Sequence, residues 1–359
     1  MHATALVDLS PARRAALKVS YTARALDGAR PRHLLTGPEV RPRHGDLVVA
    51  AVTEIGRHTR LESPAGRRVH LYPGDEVVVA YAARYAPDQF EAEPPADLRP
   101  CDLVAAGGIA AQVLSARSDV AAPTRLAPVG LVADAAGSVV NIADLAGPEA
   151  PRPLHGVPTI AVTGTSMNAG KTTTGAMLVR GLTAAGHRVG AAKVTGTGAG
   201  GDRWMFHDAG AVAALDFTDA GLATTYRAPL DRITAAARTL HDRLVVGGAD
   251  IVVLEVADGI LQPETAALLH RDGLGAMVDT WVFAAGDAAG AVYGRERLRA
   301  AGLPVAAVSG RITSSPLAAR EAAERLDVPV YGAAELCDPR LAASLVARPL
   351  VGAVGERTA

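Results

Sequence analysis

Four side chains of three chemical kinds stand where apolar runs stop: Lys171 with Thr172 after TIAVTGTSMNAG, Lys193 at the end of HRVGAAK, and Glu255 at the end of DIVVLE. An ammonium, a hydroxyl and a carboxylate brought to one edge can hold a phosphoryl group together with a divalent counter-ion, so Lys171, Lys193 and Glu255 are the candidate catalytic residues. Around the first of them, Gly164, Thr165, Ser166, Met167, Asn168, Ala169, Gly170, Lys171, Thr172 and Thr173 read as a phosphate-binding loop. Backbone N–H groups of such a loop cradle the phosphates, the lysine reaches the β- and γ-phosphates, and the threonine hydroxyl meets Mg²⁺. The common spacing G-x-x-x-x-G-K-[ST] asks for glycine at position 165, where this chain has Thr165 and carries Gly164 one residue earlier. The apolar strand before the loop and the helical TTTGAMLVRGL after it, with Gly186 as the stop, supply the context that the motif needs.

The remaining candidates follow from the same edge. Glu255, with Asp258 three residues on, is placed to complete a magnesium site with Thr172. Lys193 leads into a glycine-rich stretch, KVTGTGAGGDRW, in which Thr195, Gly196, Thr197, Gly198, Asp202 and Arg203 are candidate substrate contacts, because glycine lets a backbone approach a ligand closely. Trp204, His207 and Asp208 follow, as site residues or as plain helix surface. Ser309, with Arg311, closes a later strand and is a candidate for the nucleobase, and Asp287 falls at another strand end.

These residues need a scaffold that delivers strand ends to one edge. From Thr159 onward apolar runs alternate with alanine-rich helical stretches: TIAV, HRVGAAKVTG, ADIVVLEVADG, DTWVFAAG, LPVAAVSG and VPVYG are the predicted strands. Near-continuous apolar strands separated by helices predict a parallel α/β sheet covered on both faces, whose ligands gather at the carboxyl ends of the strands. The expected fold is thus a P-loop NTPase sheet over residues 159–359, preceded by a small β-rich barrel or sandwich over 1–149, with 150–158 (APRPLHGVP) as the linker.

In the first part, Asp46, Asp75 and Asp102 each enter a short β-branched run; they read as turn residues rather than as aligned carboxylates, since no histidine or further acid joins them at metal-ligand spacing. FEAEPPADLRPC is expected as a surface loop. Tyr72, Tyr81, Tyr85 and Phe90 concentrate the aromatic rings there, as core or as the lining of a substrate mouth.

Lys and Arg number 36 against 37 Asp and Glu, so no bulk charge calls for nucleic acid or an anionic membrane as partner. Two cysteines, Cys101 and Cys337, are too few for a disulfide framework, and no apolar run reaches the length of a spanning helix; a cytoplasmic location is expected.

TGTSMNAGKTTT, VGAAKVTGTG and VVLEVADGIL, in that order, resemble the corresponding stretches of dethiobiotin synthetase and its relatives, the cobyrinic acid amide synthases and the molybdopterin-guanine-dinucleotide accessory GTPases. The resemblance covers the chain from about residue 157 and implies a SIMIBI-class P-loop fold. It gives Lys171 and Thr172 the phosphate and magnesium roles, Lys193 the role of the lysine after the second strand, and Glu255 that of the magnesium-linked acid. It also implies ATP as cofactor, with GTP left open, Mg²⁺, a small-molecule substrate bearing a carboxylate, and a homodimer. In such enzymes the γ-phosphoryl group goes to a carboxylate or carbamate oxygen and nitrogen then attacks. Two further readings stand beside this one: a kinase that stops at the phosphate ester, and a nucleotide-hydrolysing accessory or switch protein. The chain departs from the family in EVADG, where glycine usually follows the acid directly, and in its amino-terminal β-rich part.

Overall fold

The computed structural model describes residues 4–26, 30–147 and 156–346, and its contacts divide the chain into two compact units. One holds residues 150–195, 205–215 and 230–359. Its centre is a parallel sheet of six strands: β6 (Thr159–Gly164), β7 (Val189–Lys193), β8 (Ala213–Asp216), β9 (Ile251–Glu255), β10 (Thr280–Ala284) and β11 (Val305–Ser309), in the order β8-β7-β9-β6-β10-β11. The earlier strands, β1 (Leu47–Glu54), β2 (Glu76–Tyr81), β3 (Cys101–Ala105), β4 (Ile109–Ala116) and β5 (Thr124–Ala133), belong to the other unit. Every residue of β6, β9, β10 and β11 is buried, which is why these strands read as unbroken apolar runs rather than as alternations.

Helix α1 (Lys171–Ala184) lays Ala176, Leu178, Val179 and Leu182 on the face that carries Ile160, Val162, Val189 and Val253. Helix α3 (Leu230–Val246) covers the opposite face, where a Cβ on Gly190 of β7 would stand 2.9 Å from Leu244. In chain order the short helix α2 (Gly201–Asp208) comes between them, and α4 (Pro263–Leu268), α5 (Ala288–Ala300) and α6 (Pro316–Ala323) follow the later strands. Gly186 ends α1 as predicted: its N–H bonds Thr183 O and the His187 N–H bonds Leu182 O, closing the last turn.

Two details differ from the predicted strands. VPVYG forms a single bridge, Val308 to Val330, because Pro329 has no N–H to give and only its carbonyl joins, accepting from Val308 N at 2.9 Å. Ala213–Asp216, not predicted, is the edge strand β8.

The other unit holds residues 1–149, 196–204 and 216–229. Strands β1 (Leu47–Glu54), β2 (Glu76–Tyr81), β3 (Cys101–Ala105), β4 (Ile109–Ala116) and β5 (Thr124–Ala133) pair in a closed ring, β1-β2-β4-β3-β5 and back to β1, in which only β2 with β4 is parallel. The β-rich part is therefore a barrel rather than a sandwich. Both faces of its strands are covered: Val48, Ala50, Val77, Val79, Tyr81 and Leu103 form one core, while Leu47, Val49, Val78, Ala80 and Val104 pack with Leu17, Ala23, Phe90 and Ala223 in a second.

Asp46 and Asp75 do turn chemistry, accepting from the backbone N–H of Arg43 and Tyr72, while Asp102 accepts from Val113 N and Arg125. FEAEPPADLRPC is only partly a loop. Phe90–Glu93 is a strand paired with β4, and it buries Phe90; Pro95 is buried too, and the first exposed residue is Ala96.

The glycine-rich stretch and residues 216–229 make their contacts inside this unit. Tyr21 donates to Asp216 Oδ2 at 2.5 Å, Arg24 pairs with Asp219 at 2.6 Å, and Gly200 N donates to Glu62 at 3.0 Å. A Cβ on Gly198 would stand 2.7 Å from Thr22 Cγ2, so glycine is required there by close packing. Most of the expected linker lies outside the described residues. No helix among the described residues is long and apolar enough to cross a membrane.

Candidate functional site

The site is built at the carboxyl end of β6, in the middle of the parallel sheet. There the chain leaves the strand at Gly164, turns through residues 165–170 and enters α1 at Lys171. The turn closes because Asn168 and Gly170 take φ of 65° and 98°, a region open to glycine and tolerated by asparagine.

Neighbouring loops hold this turn from several sides. Thr165 N donates to Ala284 O at 3.0 Å, Ile260 N to Gly164 O at 3.0 Å and Arg311 N to Ala169 O at 2.9 Å. Two glycines make room: a Cβ on Gly164 would lie 2.4 Å from Ala284 O, and one on Gly259 2.6 Å from Thr165 O.

The amino end of α1 carries no side-chain cap. By contrast Asp287, Gln262 and Ser315 cap α5, α4 and α6 with their own side chains. The leading N–H groups of α1 thus receive no side-chain cap, and together with the helix dipole they favour an anion.

Lys171 is buried, and its Nζ donates to Ser166 O at 2.6 Å and to Asp258 O. The ammonium is thereby held between the loop and the segment after β9. Thr172 Oγ1 donates to Glu255 Oε1 at 3.0 Å. Glu255, the last residue of β9 and 1% exposed, is aligned across the sheet with Lys193 on one side and with Val162 on the other. Beyond it the Ala257–Asp258 peptide is cis, and Ala257 O accepts from the hydroxyls of Thr195 and Thr265.

The structure thus brings Ser166, Lys171, Thr172, Glu255 and Asp258 together directly, places Lys193 as the strand neighbour of Glu255, and ties Thr195 to the same segment. Ser309 is buried at the end of β11, next to Gly310, against whose Cα a Cβ on Gly170 would stand 3.1 Å away. Asp287 is used as the cap of α5, accepting from Gly290 N at 2.7 Å.

Gly196, Thr197, Gly198, Asp202 and Arg203 group instead with the barrel unit. Gly196 N donates to Thr225 Oγ1 at 2.8 Å, Thr197 bridges Thr224, and Arg203 pairs with Asp219 at 3.3 Å. Gly259, Thr265 and the Ala257 carbonyl were not anticipated. Glycine directly after Asp258 was the one signal for them in the sequence.

A magnesium ion with phosphate fits the residues present. Thr172 Oγ1 and Glu255 Oε1 are hard oxygen donors already in contact, and among the described residues no three His, Cys, Asp or Glu side chains form a complete protein cage. Magnesium is usually held in that way, by one or two protein oxygens with phosphate and water supplying the rest.

No family model matches the chain, and no curated protein matches it. Among solved structures it is similar to the signal recognition particle receptor FtsY from Elizabethkingia anophelis, at 14% identity and a TM-score of 0.36 over 52% of this chain and 66% of that one. The same receptor in complex with GDP gives 15% identity and a TM-score of 0.36 over 57% of this chain and 67% of that one. The 54 kDa signal recognition particle protein from Aeropyrum pernix in complex with GDP gives 19% and 0.34 over 57% and 50%. The chain spans between half and two thirds of the length of these structures. These likenesses are partial, and the chemistry of the site follows from its own residues.

Proposed function

We propose that the chain is a Mg²⁺-dependent enzyme that binds ATP and transfers its γ-phosphoryl group to the carboxylate of a small metabolite, on the way to an amide or another C–N bond. The observation that carries this reading is the contact set Lys171–Ser166–Asp258 and Thr172–Glu255, at the mouth of an uncapped helix, with Lys193 aligned beside Glu255.

Each residue has a definable task. The Lys171 ammonium and the N–H groups at the amino end of α1 take the charge of the phosphates, and the Thr172 hydroxyl with the Glu255 carboxylate holds the metal. Magnesium, when bound, would neutralise charge on the phosphate oxygens. Lys193 binds and orients the acceptor carboxylate, offsetting the repulsion between two anions that must approach each other. GTP remains the alternative nucleotide.

The test is a screen of pooled carboxylate metabolites for stimulation of ATP hydrolysis, with the product identified by mass. Lys193→Ala should bind ATP as the native chain does and lose stimulated turnover by about 100-fold or more, the usual cost of removing one transition-state donor. Unchanged turnover in that variant would remove Lys193 from the mechanism. A kinase that stops at the phosphate ester would show no phosphate release during turnover.

A second reading, a nucleotide-hydrolysing switch or accessory protein, has one observation in its favour: residues 196–204, the stretch after Lys193, pack with the barrel unit. Slow hydrolysis that responds to another protein and to no metabolite would select it. Sedimentation of the full chain tests the homodimer that we also propose.

A further inference from the structure

The barrel unit contains a cavity that plays no part in the phosphate site. Its volume is about 470 Å³, within the range of small-molecule sites. Leu17, Val19, Leu61 and Val69 give it an apolar lining, and its three charged lining residues among the described residues, Lys18, Arg24 and Arg30, are all cationic; among the described residues no carboxylate lines it.

The three cations are not equivalent. Arg24 pairs with Asp216 and Asp219, and Lys18 pairs with Asp75, so the charges of both are matched. Arg30 differs. Its Nη1 donates to three backbone carbonyls, Arg14 O at 2.8 Å, Ala15 O at 2.8 Å and Leu17 O at 2.7 Å, and among the described residues no carboxylate meets its charge. The guanidinium is therefore fixed by one nitrogen, while the Nε and Nη2 edge, the edge that grips a carboxylate with two parallel hydrogen bonds, makes no hydrogen bond within the described residues.

We propose that this cavity binds a small monocarboxylate with an apolar body, of the medium-chain fatty-acid class, the head group on Arg30 and the chain among Leu17, Val19, Leu61 and Val69. Charge complementarity selects the anion and the apolar lining selects the tail. The site is independent of the nucleotide reading, since every lining residue falls between positions 17 and 69.

The experiment is calorimetric titration of the full-length protein, without nucleotide, with hexanoate, octanoate, decanoate and octylammonium. Octanoate should bind, affinity should rise by about tenfold for each two methylenes added, and octylammonium should not bind. Arg30→Gln should weaken octanoate by about tenfold or more, the cost of a lost charge-assisted pair. Because that change also removes a clamp on three carbonyls, Val69→Trp is the second variant: Val69 is only half-buried, and the indole should fill the cavity and abolish binding without lowering the melting temperature. Absence of octanoate binding, equal binding of octylammonium, or unaltered binding in Val69→Trp would each overturn the proposal.

Discussion

Glu255 is a carboxylate at the end of a fully buried strand, and what it meets there is the hydroxyl of Thr172. Replacing it by glutamine keeps an oxygen for Thr172 and removes the charge, so Glu255→Gln should stay folded, need far more magnesium and hydrolyse nucleotide about 100-fold more slowly. A magnesium titration of hydrolysis in the two proteins checks this, and superimposable titrations would take Glu255 out of the metal site. That Lys171, Thr172 and Glu255 would lie at one edge was legible in the sequence because strand, turn and helix follow one another locally and the acid closes an apolar run. Where residues 196–203 pack was not. Glycines announce a close approach without saying to what, and here Gly198 meets Thr22, from a much earlier part of the chain.

At the scale of elements, the loop of residues 164–170 is held by backbone contacts that leave no space for a side chain at Gly164 or Gly259. Gly164→Ala would put a Cβ 2.4 Å from Ala284 O, and Gly259→Ala one 2.6 Å from Thr165 O. Each should lower stability by about 1–3 kcal/mol, the usual range for overpacking, and should weaken nucleotide binding more than its effect on the melting temperature alone accounts for. Thermal melts with and without nucleotide separate the two effects. The parallel sheet was legible from the run of apolar strands, but β8, at the edge with only four residues, gave too short a pattern to find. Pro329 had the opposite effect, since VPVYG has the composition of a strand and lacks the donor that a ladder needs.

For the molecule as a whole, the barrel strands close within residues 47–133, but the unit around them is not complete in residues 1–149. Asp216 and Asp219 arrive from much later in the chain to meet Tyr21 and Arg24. A fragment ending at residue 147 leaves the Arg24 guanidinium without either carboxylate partner and should lose several kcal/mol, of the order found when one member of a buried pair is removed. Its denaturant melt, set beside the barrel transition of the full chain, tests this, and equal midpoints would contradict it. Acid should act on the same unit. Burial, and then the neighbouring Arg84, push the His58 imidazole down to about 4 from an ordinary 6.5. Between those values the unfolded chain takes up a proton that the folded chain refuses, so stability is full above pH 6.5 and falls as the pH drops towards 4, by at most about 3 kcal/mol. His58→Gln should flatten that part of the pH–stability curve.

The central claim is that Lys171 and Thr172 build a magnesium-nucleotide site, and it is tested most directly by calorimetric titration of the full chain with a non-hydrolysable ATP analogue, with and without Mg²⁺. The native protein should bind the analogue, and more tightly with the metal. Thr172→Ala should lose the metal's contribution, and Lys171→Ala should bind at least about tenfold more weakly, as loss of a charge-assisted contact requires. A Lys171→Ala protein that binds the analogue as the native chain does, with the same response to magnesium, would contradict it.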